Sequence, residues 1–164
     1  MFKKTTKIVL CAVALAGAIF ACAPSAEQIK ASAGNLMAVN KQVDSVYTLL
    51  NNSYESYQPA AMDKALEDFT VFLSQSQQNI QAMEVLENTT KLREALINKI
   101  DVLQHIANSE SKEQVRIYKL PDEAFTDELR TQWDGLARNV EKKVKEADKN
   151  LNDTYTELLN TLNK

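Results

Sequence analysis

Cysteine is nearly absent from this chain. It has two, Cys11 and Cys22, and both stand within the first 22 residues. Everything downstream has neither thiol nor disulfide and must rest on a packed core or on partners. Glycine is equally scarce, at Gly17, Gly34 and Gly135 only, and proline occurs only at Pro24, Pro59 and Pro121. No phosphate-cradling glycine loop is available. His105 is the single histidine. Asp101, four residues earlier, can share its helix face, but one such pair lacks the third and fourth ligands of a metal site. A haem would need Cys-x-x-Cys-His, which is missing, or His105 with Met37, Met62 or Met83, all at positions that suit a core. Serines such as Ser45, Ser74 and Ser76 have no flanking motif. No cofactor is expected, and the chain is read as non-enzymatic.

Basic charge is also short where it would matter. Of 19 Lys and Arg, Lys3, Lys4 and Lys7 sit in the first seven residues; without them the balance against 22 acids moves from −3 to −6. A nucleic-acid binder would show a basic face instead. The stretch Glu141-Lys142-Lys143-Val144-Lys145-Glu146 alternates acids with lysines and reads as a salt-bridged outer face.

What is present begins at the N-terminus. Met1–Lys7 is basic, and Ile8–Phe20 is an apolar run of about 13 residues, suited to a signal peptide and short of the roughly 20 needed to span a bilayer. The next residues set the reading of the whole chain. Ile19-Phe20-Ala21-Cys22 resembles the bacterial lipobox: aliphatic, variable, small, cysteine. The resemblance to bacterial lipoprotein precursors covers about the first 23 residues. It implies diacylglycerol on Cys22, cleavage before it, and an acylated amine. More than one acyl chain gives lasting anchorage. Ala23, rather than aspartate, points by the same resemblance to the outer membrane, facing the periplasm or the cell surface. The alternative is an uncleaved signal, or conventional cleavage with Ala21 and Ala23 at −3 and −1, which the following Pro24 disfavours. The expected organisation is a signal over 1–21, a lipidated tether over 22–27 and one helical domain over 28–164.

Apolar spacing places four helices in that domain. The first runs from about Ala26 to Asn52, with Ile29, Leu36, Val43 and Leu50 seven apart. Asn51–Gln58 reads as a loop carrying Tyr54 and Tyr57. Pro59 opens a second helix reaching Glu87, along Met62, Leu66, Phe69, Leu73, Ser76, Ile80 and Met83. The next stripe, Leu92, Leu96, Ile100, Leu103 and Ile106, is rotated roughly 150° from it, so a turn is placed at Asn88-Thr89-Thr90. The pattern from Gln114 to Leu120 fits either extended chain or helix. Pro121-Asp122-Glu123 opens the longest helix, to about Asn163, along a stripe that includes Trp133.

Such helices with short links predict an all-α, antiparallel up-down-up-down four-helix bundle with a long C-terminal helix. Its first and third links fall at one end. Tyr54, Tyr57 and Tyr118 gather there as candidate contact residues for an envelope or extracellular protein partner, although capping the core at that end is the simpler role for them. The alternative function is a periplasmic small-ligand or metal-binding bundle centred on His105 and Asp101.

Overall fold

Ser25 starts the first helix. Its hydroxyl accepts from the Gln28 N–H at 3.2 Å, and the Gln28 side chain accepts from the Ser25 N–H at 2.8 Å. This capping box satisfies two otherwise orphaned amides. The computed structural model describes residues 23–56 and 58–163. Five α-helices follow: α1 (Ala26–Glu55), α2 (Pro59–Ala82), α3 (Thr90–Asn108), α4 (Glu110–Tyr118) and α5 (Asp127–Leu162). The described residues contain no strand, so the chain is all-α, and no helix among them is long and apolar enough to cross a membrane. The expected signal and Cys22 lie outside the described residues, as does Tyr57.

The first helix buries its seam as expected, through Ile29, Ala33, Leu36, Val43 and Leu50. It does not stop at Asn52. Tyr47 and Tyr54 are seven apart and continue the inward side of the helix, so Tyr54 belongs to the last turn of α1 rather than to a loop. Helix α2 opens at Pro59 but ends at Ala82, short of Glu87. Met83 is extended, and the link closes in a 3₁₀ turn at Glu87–Thr89. Thr89 explains the early exit. It is fully buried, donates to the Leu86 carbonyl at 2.9 Å and meets the Ser32 hydroxyl at 3.0 Å, which holds the link against α1.

The segment after Ile106 is helical. Ser109 breaks the rod with φ −121° and ψ −83°, its hydroxyl bonded to the His105 carbonyl at 2.6 Å. Such back-bonding to the preceding turn bends helices. The apolar alternation in α4 has a packing cause: α4 touches α2, α3 and α5, so Gln114, Val115 and Ile117 are all buried although they point different ways. Pro121 does not open the long helix. It precedes one 3₁₀ turn, Asp122–Ala124, and α5 starts only after Thr126, whose hydroxyl accepts from the Leu129 N–H at 3.4 Å. Asp127 and Glu128 then supply the first-turn acids.

Helix α3 is the hub, packed on α1, α2, α4 and α5, whereas α1 and α5 touch only slightly. At its middle lies a buried cation. Lys99 is 1% exposed. Its ammonium is 2.5 Å from Asp44 and 2.7 Å from Asn40, both on α1, and 2.6 Å from Asp148 on α5. Three donors meet three acceptors. Other cross-links are Gln77 to Asp101 at 2.6 Å and to Gln104 at 3.1 Å, Lys119 to Asp63, and Lys143 to Glu110.

Lys99→Ala leaves a cavity in the buried seam of α3 and should cost about 2–5 kcal/mol in urea unfolding; the Asp44 and Asp148 carboxylates it frees are half-exposed and can turn to water. Asp44→Asn should cost less than half as much, because Asp148 and Asn40 remain. Gly34 and Gly135 are helical, and an added Cβ at either meets nothing within 4 Å. Gly34→Ala and Gly135→Ala should each raise the unfolding free energy by about 0.5–1 kcal/mol. The buried apolar residues run from Ile29 to Leu151, so residues 23–164 carry their own core and should unfold as one cooperative unit.

Candidate binding site at the aromatic end

Trp133 stands between two depressions. On one side is a cup of about 320 Å³ at the end of the fold, lined by Tyr118, Leu120, Asp122, Phe125, Arg130 and Trp133. Tyr118 meets Trp133 edge-on, ring centres 5.9 Å apart at 74°, a favourable arrangement of aromatic quadrupoles. Phe125 is 41% exposed. It lies outside any helix because Thr126 takes the capping position. Arg130 makes no ion pair among the described residues.

On the other side of Trp133 a groove of about 490 Å³ runs between α1 and α5, floored by α4. It exists because α1 and α5 hardly touch. Tyr47, Asn51 and Tyr54 form its α1 wall; Ala137, Val140 and Val144 form the apolar part of its α5 wall, with Gln114 between them. Glu141, Lys145 and Asp148 complete the lining. Tyr47 is backed by Phe69 of α2 at 5.6 Å between ring centres.

Two of the residues lining this groove carry an unusual polar atom. The Trp133 indole N–H and the Tyr54 hydroxyl are both buried without a hydrogen-bond partner. An orphaned buried donor costs about 1–3 kcal/mol, and folded proteins leave few. Burial raises the Tyr54 phenol above its ordinary pKa; Ser111 lies near enough to offset part of this, though not in hydrogen-bonding geometry. Burial raises Tyr47 as well. Asn51 offsets part of that rise, and Asp148 and Glu141 across the groove add to it.

Two of the three tyrosines singled out by sequence thus reach the same end. Tyr54 faces the groove and Tyr118 the cup, and Trp133 walls both. Trp133 was expected in the core and is half-buried instead. His105 and Asp101 lie elsewhere, exposed beside a depression of about 480 Å³ between α3 and α5. The Asp101 carboxylate is taken by Gln77, and no three His, Cys, Asp or Glu residues among those described are grouped for a metal. Met62 is buried, and Met37 and Met83 pack against the same core. Lys99 was missed, yet it falls seven residues from both Leu92 and Ile106, on the buried seam of α3.

Below the cup, Glu110 joins α4 to α5. It is 6% exposed, accepts from Asn139 at 2.9 Å, and is bonded to Lys143 and Ser109. Burial by itself would raise its carboxyl, but the bonds from Lys143 and Ser109 bring it below the ordinary value. The folded chain therefore keeps Glu110 ionised to lower pH than the unfolded chain does. That contribution to stability is complete above the unfolded pKa, about 4.3, and is lost as pH falls through the folded one. Unfolding free energy should decline below about pH 4, and Glu110→Gln should flatten that decline in acid titrations followed by circular dichroism.

Comparison of the chain with protein families, with curated proteins and with solved structures gives no match.

Proposed function

We propose that this chain is the precursor of an outer-membrane lipoprotein, anchored through lipid on Cys22 and facing the periplasm or the cell surface, whose helical domain is a non-enzymatic binding module for an envelope or extracellular protein. Ile19-Phe20-Ala21-Cys22 supports the anchor. The order of cross-links supports an antiparallel up-down-up-down bundle in which α3 and α4 act as one bent rod. Along α1, Ser32, Asp44 and Tyr54 meet Thr89, Lys99 and the neighbourhood of Ser111 in turn. Along α2 and α5 the order reverses: Asp63 meets Lys119 while Gln77 meets Asp101, and Lys143 meets Glu110 while Asp148 meets Lys99.

The observation that carries the binding role is the aromatic cup. An exposed Phe125, the Tyr118–Trp133 pair and the Arg130 guanidinium are the residue types that dominate protein interfaces. The cup lies beyond the far end of α1 from the tether, about 40 Å along a helix rising 1.5 Å per residue. A lipid-anchored module with its contact surface at that end can reach a partner away from its own membrane. His105 stands exposed on another face of the fold, so no catalytic role is assigned to it.

Two measurements test the reading. The mature N-terminal peptide from native membranes should begin at Cys22 and carry added acyl mass; an unmodified start at Ala23, Pro24 or later would remove the anchor. A photo-crosslinking residue in place of Phe125 should give a protein adduct in intact envelopes, and one in place of Lys91, beside the opposite link, should not. Identical patterns at both positions, or none at either, would remove the binding role.

A further inference from the structure

From the groove between α1 and α5 we infer a second site, for a neutral and largely apolar small molecule bearing a carbonyl or ether oxygen. The volume, about 490 Å³, lies within the roughly 300–1,000 Å³ typical of ligand pockets. The apolar body of the ligand lies against Ala137, Val140 and Val144. Its oxygen takes the proton of Trp133 Nε1. An indole N–H can only donate, so its missing partner must be an acceptor. The Tyr54 hydroxyl supplies a second donor from the opposite wall.

Charge argues for neutrality. Asp148 is committed to Lys99. Glu141 and Lys145 lie four apart on α5, where opposite charges offset one another. Two carboxylates, Asp44 and Asp148, share the Lys99 ammonium, which disfavours an anion in the groove, and a cation cannot accept the indole proton. Both orphaned donors are sealed from water, so α1 and α5 must part slightly to admit the ligand. They touch so little that they can part at the Trp133 end while Lys99 still holds both through Asp44 and Asp148.

The test uses residues 23–164 and the uncharged naphthyl ketone 6-propionyl-2-(dimethylamino)naphthalene. Trp133 is the only tryptophan, so the labelled protein gives one indole N–H signal. Addition of the ketone should shift that proton downfield in a saturable 1:1 titration and move the ketone's emission to the blue. Trp133→Phe and Tyr54→Phe each keep a ring and lose a donor. Each should weaken binding about fivefold, the equivalent of one ordinary hydrogen bond. Val144→Phe, which fills the groove, should abolish it, and His105→Ala should leave it unchanged. Should Trp133→Phe fail to fold, Tyr54→Phe and Val144→Phe decide the matter. No saturable shift, an unmoved indole signal, or Tyr54→Phe and Val144→Phe binding as tightly as wild type would overturn the proposal. The outcome does not depend on Cys22 or on a protein partner, so this site and the anchored reading fail separately.

Discussion

One buried ammonium holds three helices at a common level. Lys99 lies in the seam of α3 with 1% of its surface exposed, and removing an ion from water is costly unless its hydrogen bonds are met. They are met only where Asn40 and Asp44 of α1 and Asp148 of α5 arrive together. Apolar seams with a seven-residue repeat tolerate sliding by one repeat, since leucine meets leucine either way. A lone lysine does not: a slip by one repeat puts Glu141 or Tyr155 in the place of Asp148, or Met37 or Asn51 in the place of Asp44, and none of these slips restores all three acceptors. Lys99 therefore acts as a register device, a role for which buried polar groups are well attested in coiled coils.

The same constraint shapes the surface. Helix α5 buries only Val140, Ala147 and Leu151, all in its middle stretch and the last two within a turn of Asp148. Pinned at its middle, a helix of 36 residues spans about 54 Å beside a shorter α3, and its ends cannot be covered as fully. The groove beside Tyr54 and the cup beside Phe125 both lie towards its N-terminal end. Glu110 and Lys143 keep that end attached to α4, which is why it stays open without detaching.

Much of this was legible in the sequence. Near-absence of glycine and proline, together with 3.6-residue periodicity, indicated an all-helical chain, and the phase change after Met83 located the second link. Misplaced boundaries share one cause: the deciding contacts are tertiary or come from capping side chains. Pro121 looks like a helix start, but Thr126 is the residue whose hydroxyl caps α5. Asn51 and Asn52 look like a loop, but Tyr54 keeps α1 winding by packing inward. Gln114–Leu120 was ambiguous because burial on several sides erases the amphipathic stripe on which a sequence reading depends. At the candidate site, Tyr54 and Tyr118 were found from their places beside the first and third links of the expected bundle, although both lie in the last turns of helices. Trp133 was not, because a tryptophan on an apolar stripe looks the same whether the facing wall is closed or open. That difference depends on how far α1 stands from α5, and no local pattern encodes it.

Trp133 also ties the two depressions together. Its ring lines both the groove and the cup, and Tyr118, which meets it edge-on, lines the cup. A ligand that draws the indole towards α1 must alter the ring against which Tyr118 rests. A partner seated on Phe125 and Tyr118 must likewise alter the freedom of the indole. Binding free energies coupled through a shared side chain are reciprocal, so any effect of one occupant on the affinity of the other would act equally in both directions.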